Sequence, residues 1–275
     1  MIIGRAYCNL KVFRVERDGT LTKVREAHNA VLTSGLNQLR AAMLGTAWQL
    51  SAIGLGSSGT AVAASQTWGL APLMVAAPTD SFHDGPTYRA ILRITEDELV
   101  GSTIREVWIA PATTGQAYAR VVIPDLAKTA EFAYVFQFDC TWSGCTRAAC
   151  SMLAALANSQ GAYSYELTTL VCGRGTATPS PADQGLADPW TMTALPIASS
   201  DATVNGQLSL NFTIAIDQYN GLTLAEVGLF FNVKTGSSPV AVPAMYGRAL
   251  IDPEPYVILV GVGGQVVVIL RWESA

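Results

Sequence analysis

Charge is what this chain has least of. Only 14% of its 275 residues are Asp, Glu, Lys or Arg, where a soluble protein ordinarily carries roughly 25%. Depleted charge marks the centre of protein–protein contacts, and monomers avoid large apolar patches. The composition therefore points to a chain that hides much of its surface in an assembly; a large, well-packed monomer is the other reading. Lys/Arg clusters are missing and the net charge is −4, which argues against a phosphate-tracking groove and so against nucleic acid as a partner. Long apolar runs are missing too. Val257–Leu270 is interrupted by Gly261, Gly263 and Gly264, and Ala148–Ala157 is short; neither approaches the roughly 20 residues of a membrane span. Met1-Ile2-Ile3-Gly4-Arg5 has no basic region leading into an apolar one. The expected compartment is cytosol-like, unless another route exports the chain.

Histidine is scarce, with only His28 and His83. A Ser/His/Asp or Cys/His site would have to use one of them, and no G-x-S-x-G elbow is present. His83 and Asp84 are adjacent in sequence, so their side chains do not face one another. Catalytic residues are therefore expected to be none. The five cysteines, Cys8, Cys140, Cys145, Cys150 and Cys172, are odd in number and irregular in spacing. They do not read as a secreted disulfide framework, and buried free thiols are expected. Cys140, Cys145 and Cys150 recur every five residues, unlike the C-x2–4-C pairs of zinc sites. Glu96-Asp97-Glu98 reads as a hydrated turn rather than a calcium loop, which needs oxygen ligands at alternating positions. No metal and no cofactor are expected.

One glycine motif does fit a ligand pattern. Gly54-Leu55-Gly56-Ser57-Ser58-Gly59 matches G-x-G-x-x-G literally, but a dinucleotide site needs that loop to open a helix within a parallel βαβ unit. No such unit follows, so the motif reads as a tight turn.

What is present is alternation. Half the residues are hydrophobic, and the length suits one large or two ordinary domains. Tyr7–Val15 and Leu21–Ala30 read as strands joined at Asp18-Gly19, a hairpin signal. Thr33-Ser34 offers an N-cap to a helix carrying Leu36, Leu39, Met43 and Leu44 and ending near Gly45. Leu50–Leu55 reads as a strand, Thr60–Leu73 as a loop, and Pro72–Pro86 as irregular. Thr87–Thr95, Thr103–Ala110, Ala117–Ile123 and Phe132–Trp142 read as strands. The pattern then restarts, with a helix over Cys145–Leu156. Strands follow at Leu167–Cys172, Gln207–Ile216, Thr223–Phe231 and Ala244–Ile251, and the chain closes with Tyr256–Val262 and Gln265–Trp272.

The restart is a duplication. Thr103-Ile104-Arg105-Glu106-Val107-Trp108-Ile109 is echoed by Thr223-Leu224-Ala225-Glu226-Val227-Gly228-Leu229. In the same order, Gly56, Thr60-Ala61 and Gly69-Leu70 match Gly173, Thr176-Ala177 and Gly185-Leu186. Arg120 matches Arg248, Pro124-Asp125 matches Asp252-Pro253, and Trp142 matches Trp272. The expected fold is mainly β: two tandem antiparallel β-sandwich or half-barrel domains, residues 1–143 and 144–275, each with one short α-helix. The second lacks the opening hairpin, so it has exposed edges or borrows cover from its neighbour. Glu106 is expected to pair with Arg120, and Glu226 with Arg248, across neighbouring strands. Such pairs contribute about 0.2–1 kcal/mol when exposed, and breaking a buried one costs roughly 3–5 kcal/mol. A general acid at Glu106 is the functional alternative. Trp48, Trp68, Trp108 and Trp190 are candidate stacking aromatics for a carbohydrate.

The order of motifs resembles a family. Asn29-Ala30-Val31-Leu32-Thr33-Ser34-Gly35-Leu36-Asn37-Gln38-Leu39 looks like the N-x-hydrophobic-x-x-x-G-L-x-x-L helix entry of tailed-phage virion proteins of the tail-fibre, tail-collar or minor structural type. Ile53–Thr60 is similar to their I-x-L-G-x-G-T segment, and Thr103–Ile109 to their T-I-R-E-x-G-L-F strand. Ala225-Glu226-Val227-Gly228-Leu229-Phe230 keeps the glycine that Trp108 replaces, and Leu170-Val171-Cys172 is poor in glycine by that pattern. The resemblance implies a non-enzymatic, oligomeric virion component in tail, baseplate or neck, assembled in the bacterial host cytoplasm. Its partners would be other virion proteins and further copies of itself, with no small-molecule substrate. An adaptor that anchors a fibre is expected; a head-decoration or neck protein and a carbohydrate-binding receptor-recognition module are the alternatives.

Overall fold

The structure, a computed structural model, describes residues 2–111, 115–158, 164–190, 194–205, 207–216, 221–235, 238–239, 244–251, 256–257 and 264–274. It is mainly β. The first half contributes β1 (Ile2–Val15), β2 (Leu21–Val31), α1 (Thr33–Met43), β3 (Ala52–Gly56) and β4 (Pro72–Ala76). It continues with β5 (Asp80–Asp84), β6 (Thr87–Ile94), β7 (Thr103–Ala110), β8 (Ala119–Ala127) and β9 (Ala133–Ser143). The second half opens on α2 (Arg147–Asn158), then β10 (Ser164–Gly173), β11 (Leu195–Pro196), β12 (Ser199–Asp201), β13 (Gln207–Ile214) and β14 (Thr223–Leu224). It ends with β15 (Glu226–Thr235), β16 (Ser238–Pro239), β17 (Ala244–Leu250), β18 (Tyr256–Val257) and β19 (Gly264–Ser274).

Alternation places the strands. β6 buries Tyr88, Ala90, Leu92 and Ile94, and β13 buries Leu208, Leu210, Phe212 and Ile214, so each turns every second side chain to the core. The β1–β2 hairpin turns at Gly19, whose φ of 85° suits glycine; Asp18 Oδ1 accepts from the Thr20 N–H. α1 runs where the helical spacing predicts, but its N-cap is Leu32, without a side-chain cap. Ser34 instead donates its hydroxyl to the Ala117 carbonyl. β4 and β5 replace the irregular segment expected over Pro72–Pro86. β4 lies at a sheet end with Pro72 as its first residue, where a missing N–H is tolerated. Asp252-Pro253 and residues 258–263 lie outside the described residues.

One curled twelve-stranded sheet runs through both halves as β12-β13-β19-β1-β2-β8-β7-β3-β4, with β5-β6-β9 branching from β1. A second sheet has the order β11-β10-β15-β16, with β17 also on β15. The large sheet forks at β1. One edge of β1 is lined by β9 from Arg5 to Val15. The other edge is lined first by β19, parallel, from Ile2 to Ala6, and then by β2 from Cys8 onward. The second half, lacking its own hairpin, thus borrows the start of β1.

The helices bind the halves further. α1 starts beside its own half, where the Leu32 N–H donates to the Tyr118 carbonyl, and α2 likewise, where the Thr146 N–H donates to the Tyr246 carbonyl, both at 2.9 Å. Each then packs over the other half, α1 on β10, β13 and β19, α2 on β5, β6 and β9, while α2 also stays packed on β17 of its own half. Trp272 Nε1 reaches Met43 Sδ at 3.4 Å. One core cluster extends from Ile2 to Trp272. Buried residues from both sides of Ser143-Gly144, the expected boundary, belong to that cluster.

The expectation of five free thiols is corrected. Cys8 and Cys140 stand opposite each other on β1 and β9 and are joined, as are Cys145 and Cys150. Cys172 is free and buried, and burial pushes its thiol up to about 12.

Candidate functional site

The two glutamates occupy the same place in the two halves. On β7, Glu106 faces Gly56 of β3 on one side and Val122 of β8 on the other. Trp108, two residues on, faces Gly54 and Arg120. On β15, Glu226 faces Gly173 of β10 and Leu250 of β17, and Gly228 faces Val171 and Arg248. Each arginine thus lies diagonally across one strand pair from its glutamate, within reach of a long side chain.

Both pairs form. Arg120 Nε donates to Glu106 Oε2 at 2.7 Å, and Arg248 Nε to Glu226 Oε2 at 2.5 Å. The side chains of Glu106 and Arg120 are 0% exposed, and those of Glu226 and Arg248 0% and 3%. Burial of two charges is tolerable only when their remaining donors and acceptors are also satisfied, and here a loop satisfies them. Glu106 accepts the N–H groups of Leu70 and Ala71, at 3.1 and 2.7 Å. Arg120 donates to the Thr60 carbonyl and to Gln66 Oε1. Glu226 accepts from the N–H groups of Gly175, Ala187 and Asp188. Arg248 donates to the Ala177 carbonyl and to Asp183 Oδ2. Each pair pins both ends of a long loop with no helix or strand of its own, 57–71 in one half and 174–189 in the other. The buried backbone groups there find partners in the pair instead of a ladder.

The glycines follow from the pair. A Cβ at Gly56 would meet Glu106 Oε1, and one at Gly173 would lie 2.7 Å from Glu226 Oε1. A Cβ at Gly54 would run into the Trp108 ring. The G-x-G of the literal dinucleotide pattern makes room for two side chains of β7, and no helix follows it. The two halves differ at Trp108 and Val171. One half sets Gly54 opposite Trp108 and the other sets Val171 opposite Gly228, so bulk has moved across the strand pair.

The tryptophans do not form a platform. Trp48, Trp108 and Trp190 are 5%, 0% and 7% exposed. Trp48 packs on Tyr118 and Trp142 inside the core. Trp108 lies beneath the loop, with Trp68 tilted against it at 5.6 Å. Trp68, half-buried, is the one of the four with open surface. The expectation of four stacking aromatics is not met: Trp108 is covered by the loop, while Trp48 and Trp190 are buried in the core cluster. Trp142 and Trp272 are matched in packing, against Tyr118 at 6.3 Å and Tyr246 at 6.5 Å.

Two further charge clusters escaped sequence reasoning. Asp139, on the outer face of β9, takes Arg89 Nε at 2.6 Å and Lys11 Nζ at 3.3 Å. Burial alone would raise its carboxyl, but hydrogen bonds from Arg89 and Gln137 outweigh that and hold it below the usual carboxylate range. Cross-strand registers of Arg89 with Asp139 and Lys11 with Gln137 were not readable before the strands were paired. Lys128 is 1% exposed and donates to the carbonyls of Glu96 and Thr129. It ties down the acidic turn Glu96-Asp97-Glu98. Burial lowers its pKa, against the pull of those three carboxylates.

Among the described residues, no group of three or more His, Cys, Asp or Glu side chains could hold a metal ion. A recess of about 120 Å³ lined by Cys145, Thr146, Pro181 and Arg248 touches the second pair, but all three guanidinium nitrogens of Arg248 are already bonded. The arrangement can anchor a loop; being buried, it offers no acid or base to a solute. Compared with known protein families, curated proteins and solved structures, the chain matches none.

Proposed function

We propose that this chain is a non-enzymatic structural component of a tailed-phage particle, a tandem duplicate of one β-rich unit that acts as an oligomeric adaptor at the tail or baseplate and anchors a fibre or another tail component. The observation that carries the assembly role is the loop of the first half. Two buried charges hold it to the sheet, yet its outward side has no charge at all: Gly59, Thr60, Ala61, Ala63, Ala64, Ser65, Thr67 and Leu70 are exposed. A fixed, neutral, extended surface suits lasting contact with another protein. The virion assignment rests on the motif order Asn29–Leu39, Ile53–Thr60 and Thr103–Ile109. A head-decoration or neck position is the runner-up within the same class. A carbohydrate-reading role has lost three of its four rings to the core.

Immunogold labelling of intact particles with antibody to the purified chain tests the reading. Label at the tail or baseplate is expected. Label on the head or neck would favour the runner-up, and particles without the chain would overturn the proposal.

A further inference from the structure

Between Arg40 and Asp80 the chain has no charged residue, and β4 lies inside that stretch at an end of the large sheet. Edge strands expose unpaired N–H and C=O groups and are ordinarily guarded by charge, proline, shortness or cover. Four other described edges follow that rule. β5 carries Asp80 and Asp84. β12 is three residues with Asp201, and β11 is two residues ending in Pro196. On β17, the Tyr246 carbonyl is taken by Thr146, and a Cβ at Gly247 would lie 3.1 Å from Ile2. β4 is five residues, uncharged, guarded only by Pro72 at its start, and Val75 and the adjoining Leu70 are 46% and 49% exposed.

We infer that β4 is the edge through which two copies of this chain pair, antiparallel, about a two-fold axis near Met74. This rests on the assembly reading above and names its first partner. A charged partner edge would bury an unanswered charge against β4. A second β4 matches the first in length and neutrality by symmetry, with Met74 set beside its own counterpart and Leu73 of each copy beside Val75 of the other. The contact is isologous, so it closes at two copies.

The test is the mass of the full chain in solution, by sedimentation over a range of concentrations. A dimer is expected, and Val75→Lys, which sets a charge against Leu73 of the other copy, is expected to reduce it to monomer. Val267→Lys, at a site 52% exposed on β19, is expected to leave the dimer intact. Near-UV circular dichroism checks that each variant is folded. Amide exchange on the unaltered chain gives a readout without any variant: protection at residues 73–76 should rise with protein concentration. A chain that stays monomeric, a dimer that Val75→Lys does not weaken, or unchanging exchange at 73–76 overturns the pairing. A monomer found on phage tails would sink the pairing and spare the virion reading; a dimer found on no particle would do the reverse.

Discussion

A glutamate and an arginine with no exposed surface hold their place only while each answers the other. Glu106→Gln leaves the Arg120 charge buried without its counter-charge, and a loss of roughly 3–5 kcal/mol in denaturant unfolding is expected. Arg120→Met should cost a similar amount. The double variant should cost clearly less than the sum, because no lone charge remains; additive losses would show that the two side chains act separately. The second pair adds a pH signature. Burial alone would raise the Glu226 carboxyl; the Asp188 N–H, the Arg248 guanidinium and the Ala187 N–H outweigh it and hold it below the usual carboxylate range. Its stabilising contribution is therefore complete above the unfolded value of about 4.3 and is lost as pH falls through the lower folded value. Unfolding free energy measured from neutral to acid pH should drop over that window, and Glu226→Gln should flatten the profile. An unchanged profile in that variant would assign the acid sensitivity to other carboxylates.

At the scale of elements, the exchange of bulk between Gly54 with Trp108 and Val171 with Gly228 makes a direct comparison possible. Trp108→Gly empties a fully buried site and should cost about 3–5 kcal/mol. Gly54→Val alone forces a side chain into the ring and should cost about 1–3 kcal/mol. Together they copy the second half, and the measured loss should fall below the sum of the two; a loss equal to the sum would mean the strand pairs are not interchangeable. Elements of this kind were the most legible part of the chain. β6 and β13 announce themselves by strict alternation, and the two glutamates and arginines by their recurrence at one place in each half. β4 and β5 were hidden by Pro72, Pro78 and a polar Asp80–Asp84, residues that edge strands tolerate and central strands do not. The burial of Trp108 was hidden as well, since alternation shows that a ring shares a face with its neighbours but not which loop covers that face. The disulfides needed a register: nothing in the spacing of Cys8 and Cys140 says that they stand opposite each other.

The whole molecule is organised by exchange, and this was the least legible feature, because a helix's own periodicity gives its apolar face and not the strands that receive it. Each helix closes the core of the half it does not belong to. Damage to one should therefore spread to both. Leu39, fully buried on α1, is expected to cost about 2–5 kcal/mol when cut to alanine, and amide exchange should quicken in β13 and β19 as well as in β2 and β8. Calorimetry should show one unfolding transition for the chain. Two transitions, with the first half unaffected by Leu39→Ala, would contradict the exchange.

The parallel ladder between β1 and β19 sets a schedule for synthesis. Ile2–Ala6 leave the ribosome long before Leu270–Ser274, the residues they pair with. Contacts so far apart in sequence form late and slowly. Until β19 emerges, the start of β1 has one edge without its partner, at the fork where the two halves are sewn together. A product cut short of β19 would keep that edge open and be prone to aggregate, so the ladder acts as a completeness check, closing only once both halves have been made.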